Sequence, residues 1–181
     1  MPRGVGLDRQ RVVDAASAIV DAEGVDALTL AAVADALGVR SPSLYKHVAS
    51  LDDLRWAVVA DTWRALETEV VEKATDLREL ARVWRRHARA HPHLYVLASR
   101  THREGPPDVQ RVGGALVERL VAWVRPLVED DVAALHAVRS LRALVHGFLM
   151  LELSHGFGLD VPIEASFERG VEALLAGLAT G

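Results

Sequence analysis

The 181-residue chain contains no cysteine, which removes disulfides and thiolate metal sites from consideration. No run reaches the roughly 18 uninterrupted apolar residues of a membrane span, so no membrane partner is expected. The opening residues, MPRGVGLDRQ, lack the apolar core of a secretory signal. A cytoplasmic location fits these absences. Nucleophile elbows, phosphate-binding loops, dinucleotide fingerprints and His-Glu metalloprotease patterns are missing as well. No paired acid–base constellation is readable, so the chain is not expected to be an enzyme, and no cofactor is implied. Basic excess is also lacking: the formal net charge is −4 and the pI about 6.1. That argues against non-specific nucleic-acid binding by the chain as a whole and makes any such contact local. One further absence is itself local. From Ala36 to Leu51 there is no Asp or Glu, although acids outnumber Lys and Arg by 25 to 21 overall.

What is present is helical periodicity, with half the residues apolar and almost no strand pattern. Val12, Ala16, Ile19 and Val20 form one stripe of a first helix over roughly 7–23, which Gly24 ends. Thr29 is a good N-cap for a second short helix whose inner face carries Leu30, Val33, Ala34 and Leu37. Gly38 supplies a left-handed residue that stops it. Ser41 followed by Pro42 reads as N-cap and first position of a third helix, SPSLYKHV. Ser50 and Asp53 form a capping box opening a fourth helix that extends toward Lys73. Sparse polar punctuation divides the rest into helices near 77–91, 92–101, 107–128, 130–155 and 163–178. The fold expected is all-α, with about nine helices. Residues 1–50 form a small three-helix head, and 51–181 form a helical body.

Two short helices joined by a glycine-containing turn are the helix-turn-helix arrangement, whose second helix lays its N-terminal residues against base edges in the major groove. The acid-free segment suits that place. Ser41 and Ser43 are short donors and acceptors, Pro42 offers an apolar surface to a thymine methyl, and Arg40, Tyr45, Lys46 and His47 reach phosphates or base edges. A carboxylate there would be repelled by phosphodiesters. Leu44 and Val48, four apart, point the other way, into the head. The alternative is a small capped surface helix whose acid gap is chance.

Residues 27–54, ALTLAAVADALGVRSPSLYKHVASLDDL, resemble the DNA-binding segment of the tetracycline-repressor (TetR) family of bacterial regulators. The shared features are Leu28-Thr29, Val33-Ala34, Leu37-Gly38-Val39, Ser-Pro-Ser-Leu-Tyr, His47-Val48 and the acidic DDL. Ala15-Ala16 and Gly24 of helix one fit too, so the likeness covers roughly 9–56. It implies Thr29 as a phosphate contact at a helix N-terminus, and Arg40, Ser41, Ser43, Tyr45, Lys46 and His47 at the groove. It also implies a bacterial cytoplasmic regulator whose partners are a double-stranded DNA operator, a second copy of itself and a small-molecule effector. The family usually carries Lys just before the acidic pair, where this chain has Leu51. One phosphate contact fewer should lower affinity and its salt dependence.

In that family the later helices bind ligand and dimerise. ALVHGFLML (143–151) is apolar around most of a helix. Ile163, Phe167, Val171, Leu174 and Leu178 make a narrow seam suited to a partner helix. Val145, Phe148, Leu149, Phe167, Val171, Leu174 and Leu178 are therefore candidate dimer contacts; burial against the same chain is the other reading. His146-Gly147 and His155-Gly156 resemble a C-terminal type of the family with a His-Gly (WHG-like) signature. In the acid-free stretch from Leu80 to Arg103, Arg82, Arg85, Arg86 and Arg89 share one helix face, opposite Leu77, Leu80, Ala81, Trp84 and Ala88. A pocket rimmed by Trp84, His87, His91 and Tyr95, with Trp63, Trp123 and Phe148 as further walls, would suit an apolar ligand with a polar or anionic end. A solvated arginine face over core histidines is the competing account. His87 and His91 have metal-ligand spacing, but no cysteine or Glu points the same way, so no metal is expected.

The function expected is a dimeric, ligand-responsive DNA-binding regulator, a repressor released from a palindromic operator. The alternatives are a helical protein-interaction module without specific DNA binding and a small helical enzyme. On this reading Lys46→Ala weakens binding to all sequences and lowers the log–log salt slope by about 1, if Lys46 touches phosphate. Ser43→Ala instead relaxes preference at one base position by roughly 1–3 kcal/mol. Fluorescence anisotropy on a panel of duplexes separates the two, and equal effects on every duplex would contradict this division of roles.

Overall fold

The computed structural model describes residues 6–101 and 105–179. Arg103, at the end of the second acid-free stretch, lies outside them. Among the described residues the elements are helical throughout, and nine of them fall at the nine expected places. These are α1 (Arg9–Glu23), α2 (Leu30–Leu37), a 3₁₀ helix (Ser41–Lys46), α3 (Leu51–Leu66), α4 (Leu77–Ala90), α5 (Pro92–Thr101), α6 (Pro107–Val124), α7 (Asp131–Leu153) and α8 (Ile163–Ala179). Short 3₁₀ segments at Val25–Ala27 and Arg125–Leu127 follow α1 and α6. A π-helical turn, Glu67–Val71, carries on from α3.

The caps follow from side-chain chemistry. Asp8 accepts the Arg11 N–H at 2.8 Å, Thr29 accepts the Ala32 N–H at 3.0 Å, and Asp130 accepts the Ala133 N–H at 2.7 Å. Each satisfies one of the free donors at a helix start. Gly38 closes α2 at φ 65°, ψ 31°, the left-handed region that glycine enters without a side-chain clash. Ser50 Oγ accepts the Asp53 N–H at 3.0 Å, and Asp53 Oδ2 accepts the Ala49 N–H at 2.8 Å. The capping box is therefore real, but its return bond goes one residue further back than Ser50.

By packing the chain separates into two compact units. One takes in the chain up to Trp63 together with His91–Gly113; the other takes in Arg64–Ala90 and the chain from Gly114 onward. The first unit is thus the motif-bearing head plus most of α3, α5 and the start of α6. Its core joins Val12, Val13, Ala16 and Val20 of α1, Leu28, Val33 and Ala34 around α2, Leu44, Val48, and Leu54 and Val58 of α3, with Leu94 and Leu97 of α5 packed against them. Gly113 is small for a reason: a Cβ there would sit 2.8 Å from the Trp63 ring. In the second unit the apolar stripe of α4 (Leu77, Leu80, Ala81, Trp84, Ala88) is buried, as are Ala134, Ala137, Val138, Leu141, Val145 and Leu149 of α7 and Phe167 and Val171 of α8. Gly170 lets α8 lie close to Leu144 and Phe148 of α7.

Leu44 is fully buried although it sits in a six-residue helix. Leu44→Ala should lower the unfolding free energy by about 2–5 kcal/mol, read by urea denaturation. A cost near zero would mean that the 3₁₀ helix is not held through this side chain.

Candidate nucleic-acid interface

Thr29, Arg40, Pro42, Tyr45 and Lys46 are exposed, and Ser41, Ser43 and His47 are half-buried, while Leu44 and Val48 are buried. With three residues per turn, successive side chains of a 3₁₀ helix project about 120° apart, so anchoring Leu44 in the core turns both Tyr45 and Lys46 outward. Tyr45 is 60% exposed, unusual for an aromatic with no partner ring. Among the described residues, neither the Arg40 nor the Lys46 side chain makes a hydrogen bond or ion pair. Arg9, Arg78, Arg82, Arg85 and Arg89 are all paired with carboxylates. Cations left uncompensated on an acid-free surface keep their full attraction for phosphate.

Two expectations are corrected here. The third helix is 3₁₀ rather than α, and Ser41 is not its cap. Arg40 holds the cap position in extended backbone, without a side-chain bond, and Ser41 and Pro42 begin the helix itself. Leu51, at the usual lysine position, is partly buried against the head core, so this site holds packing rather than a cation.

The residue that the local pattern did not reveal is Arg9. Its guanidinium donates to both oxygens of Asp53, at 2.9 and 2.7 Å, and Nη1 also donates to the His47 carbonyl at 2.8 Å. This fork joins the start of α1 to the start of α3 and to the end of the 3₁₀ helix. Nothing in the sequence near Arg9 signals a partner 44 positions away. The Arg9 bond, with the Ala49 N–H behind it, holds the Asp53 carboxyl below its usual range against the opposing effect of burial; Arg9 is raised in turn.

The expected pocket residues fall in both units. Trp63, His91 and Tyr95 belong to the first; Trp84, His87, Trp123 and Phe148 belong to the second. His91 follows the end of α4, and its Nδ1 lies 2.7 Å from Asp21 Oδ2, tying the α5 segment to α1. Trp63 and Tyr95 are buried in the first unit. Trp84 is buried in the second, and its indole N–H has no acceptor among the described residues. Phe148 packs on Phe157 and Phe167, with centroids 5.5 and 5.3 Å away. His146, on α7, is held below its ordinary pKa by burial and then by Arg142.

The expected dimer residues Val145, Leu149, Phe167 and Val171 are at most 1% exposed in the single chain. They fill the core of their own chain. Phe148, Leu174 and Leu178 keep part of their surface. The arginine face is also not uniformly solvated: Arg85 is 4% exposed, paired with Glu152 and Glu164, and stacked 4.5 Å over Phe167.

A capped two-helix motif with an outward, acid-free second helix, followed by a helical body, defines a helix-turn-helix DNA-binding protein. Residues 12–58 match the profile of bacterial regulatory proteins of the tetR family, and residues 77–174 match the tetracyclin repressor-like C-terminal domain. The chain is 32% identical to Rv0681 of Mycobacterium tuberculosis, over 97% of this chain and 84% of that one. It is 30% identical to YobS of Bacillus subtilis, over 96% and 94%; both are uncharacterized HTH-type transcriptional regulators. Its fold matches apo ActR of Streptomyces coelicolor with a TM-score of 0.75 at 26% identity, covering 99% of this chain and 98% of ActR. ActR has also been solved in complex with (S)-DNPA. The chain belongs to the TetR family of transcriptional regulators, which are DNA-binding proteins and not enzymes. Among the described residues no helix is long and apolar enough to cross a membrane.

Asp53 stays ionised to lower pH in the fold than in the unfolded chain. Its contribution is therefore complete above the unfolded value of 3.8 and is lost as pH falls through the depressed folded value. The clamp is partly exposed, so its worth is at most about 1 kcal/mol. The stability gap between wild type and Asp53→Asn, measured by urea unfolding, should be constant near neutrality and close below pH 3.8. A gap that widens on acidification would contradict the clamp.

Proposed function

We propose that the chain acts as a homodimeric repressor, binding a palindromic operator through two copies of the 3₁₀ helix and leaving it when a small molecule occupies the body. The observation that carries this reading is the outward face of residues 40–47, where Arg40 and Lys46 have no carboxylate partner among the described residues and Tyr45 stands 60% exposed. Ser41, Pro42 and Ser43 read base edges. Arg40, Tyr45, Lys46 and His47 flank them, and Thr29 at the start of α2 binds phosphate. Two subunits double a readout that one short helix leaves small. Of the expected dimer residues, Phe148, Leu174 and Leu178 remain available, and Met150 and Leu151 of α7 are exposed as well.

The effector is an apolar or aromatic molecule with a polar end, for which the unpaired indole N–H of Trp84 is a donor. Support also comes from ActR, solved both free and with (S)-DNPA. Release is linkage: an effector that prefers the body conformation with wrongly spaced heads lowers operator affinity by that same differential free energy. α3 begins beside the 3₁₀ helix in the first unit, and its residues from Arg64 belong to the second, so it is the lever.

A gel shift on genomic fragments at several salt concentrations tests the reading. A subset of fragments should be retained after bulk DNA has dissociated, and Tyr45→Ala should abolish that retention without lowering the melting temperature. A chain that binds no fragment more tightly than bulk DNA is instead a protein-interaction module.

A further inference from the structure

A second basic site lies in the second unit, away from the helix-turn-helix residues. Arg82, Arg85, Arg86 and Arg89 of α4 line a cleft of about 290 Å³ together with Glu164, in the first turn of α8. The four guanidiniums are not equivalent. Arg82 donates to both oxygens of Glu168, at 2.7 and 2.5 Å. Arg85 donates through Nε and Nη2 to Glu152 and through Nη1 to Glu164 at 2.6 Å. Arg89 Nε lies 3.3 Å from Glu152 Oε2 without hydrogen-bond alignment, since that oxygen has no hydrogen-bond partner among the described residues. The Arg86 side chain makes neither a hydrogen bond nor an ion pair among the described residues, and it lines the same cleft.

Four cations therefore meet three carboxylates, and only one of these, Glu164, lines the cleft. Its side chain is 63% exposed and is held there by a single bond to Arg85. Arg85 itself is fixed by burial, by Glu152 and by the Phe167 ring. A rigid guanidinium beside a free one, with a loosely held carboxylate between them and the solvent, is a receptor for an oxyanion. An incoming anion takes the donors that Glu164 releases and those that Arg86 and Arg89 never use. Planar guanidiniums favour ligands with paired oxygens, such as phosphates and carboxylates, and the volume is near the lower limit for small-molecule sites.

We propose that this cleft binds a small polyanion, a phosphate ester or a di- or tricarboxylate, through Arg85, Arg86 and Arg89, with Glu164 as the displaced internal competitor. The site is independent of the DNA-binding reading, and its test uses no DNA.

The test is isothermal titration of the full chain with pyrophosphate and, separately, with citrate, at an ionic strength held constant with sodium chloride. At least one should bind saturably, one per chain. Arg86→Gln, which removes no side-chain hydrogen bond or ion pair among the described residues, should weaken that binding about tenfold or more while leaving the melting temperature of the free protein unchanged. Glu164→Gln should tighten it by removing the competitor. Tighter pyrophosphate assigns the site to phosphate-bearing ligands, and tighter citrate assigns it to carboxylates. Binding of neither anion, or equal binding by wild type and Arg86→Gln, overturns the proposal.

Discussion

A six-residue 3₁₀ helix makes too few internal hydrogen bonds to persist alone, so its orientation is set from outside. Leu44 and Val48, both buried, press it onto α1, α2 and α3, and the Arg9 fork holds its last carbonyl and the cap of α3 together. That one packing decision turns Tyr45 and Lys46 to solvent and leaves Ser41, Pro42 and Ser43 at the leading edge. The side chains proposed to face DNA are those that remain after the apolar ones have been buried. Acid depletion then leaves Arg40 and Lys46 unneutralised, although the chain as a whole is acidic.

The second unit applies the opposite rule to its arginines. Arg78, Arg82 and Arg85 project from α4 and are each met by glutamates: Glu172, Glu168 and Glu164 of α8, and Glu152 of α7. The register of α8, with Glu at 164, 168 and 172, matches that of α4 one turn at a time. The outer pairs are exposed and individually weak. Arg85 is different, because removing Glu152 would leave a guanidinium inside the unit without its main acceptor. Glu168 is held below its ordinary pKa by its hydrogen bonds from Arg82.

Elements whose cause is local were legible in the sequence. Thr29 caps because its hydroxyl reaches three residues ahead, Gly38 turns because it lacks a Cβ, and the stripes of α1, α2 and α4 face the core as their spacing required, with Ile19, Leu30 and Leu37 partly buried at its edge. Causes acting across tens of residues were not. Arg9 finds Asp53 and His47 only once α1 and α3 are placed, and His91 finds Asp21 in the same way. Arg85 lies on the polar face by angle, yet α7 and α8 cover it. Conversely, Val145, Leu149, Phe167 and Val171 show an apolar seam that serves the chain's own core; period alone does not say whether the facing helix belongs to the same chain or to another.

Oxidative footprinting of the protein, free and bound to its tightest genomic fragment, tests the central claim most directly. Tyr45, 60% exposed in the free chain, should label readily alone and be protected on the duplex, while exposed Leu127 and Val132 of the second unit stay unchanged. Tyr45 labelling that is unaffected by bound DNA, with protection confined to residues beyond 114, would contradict the account.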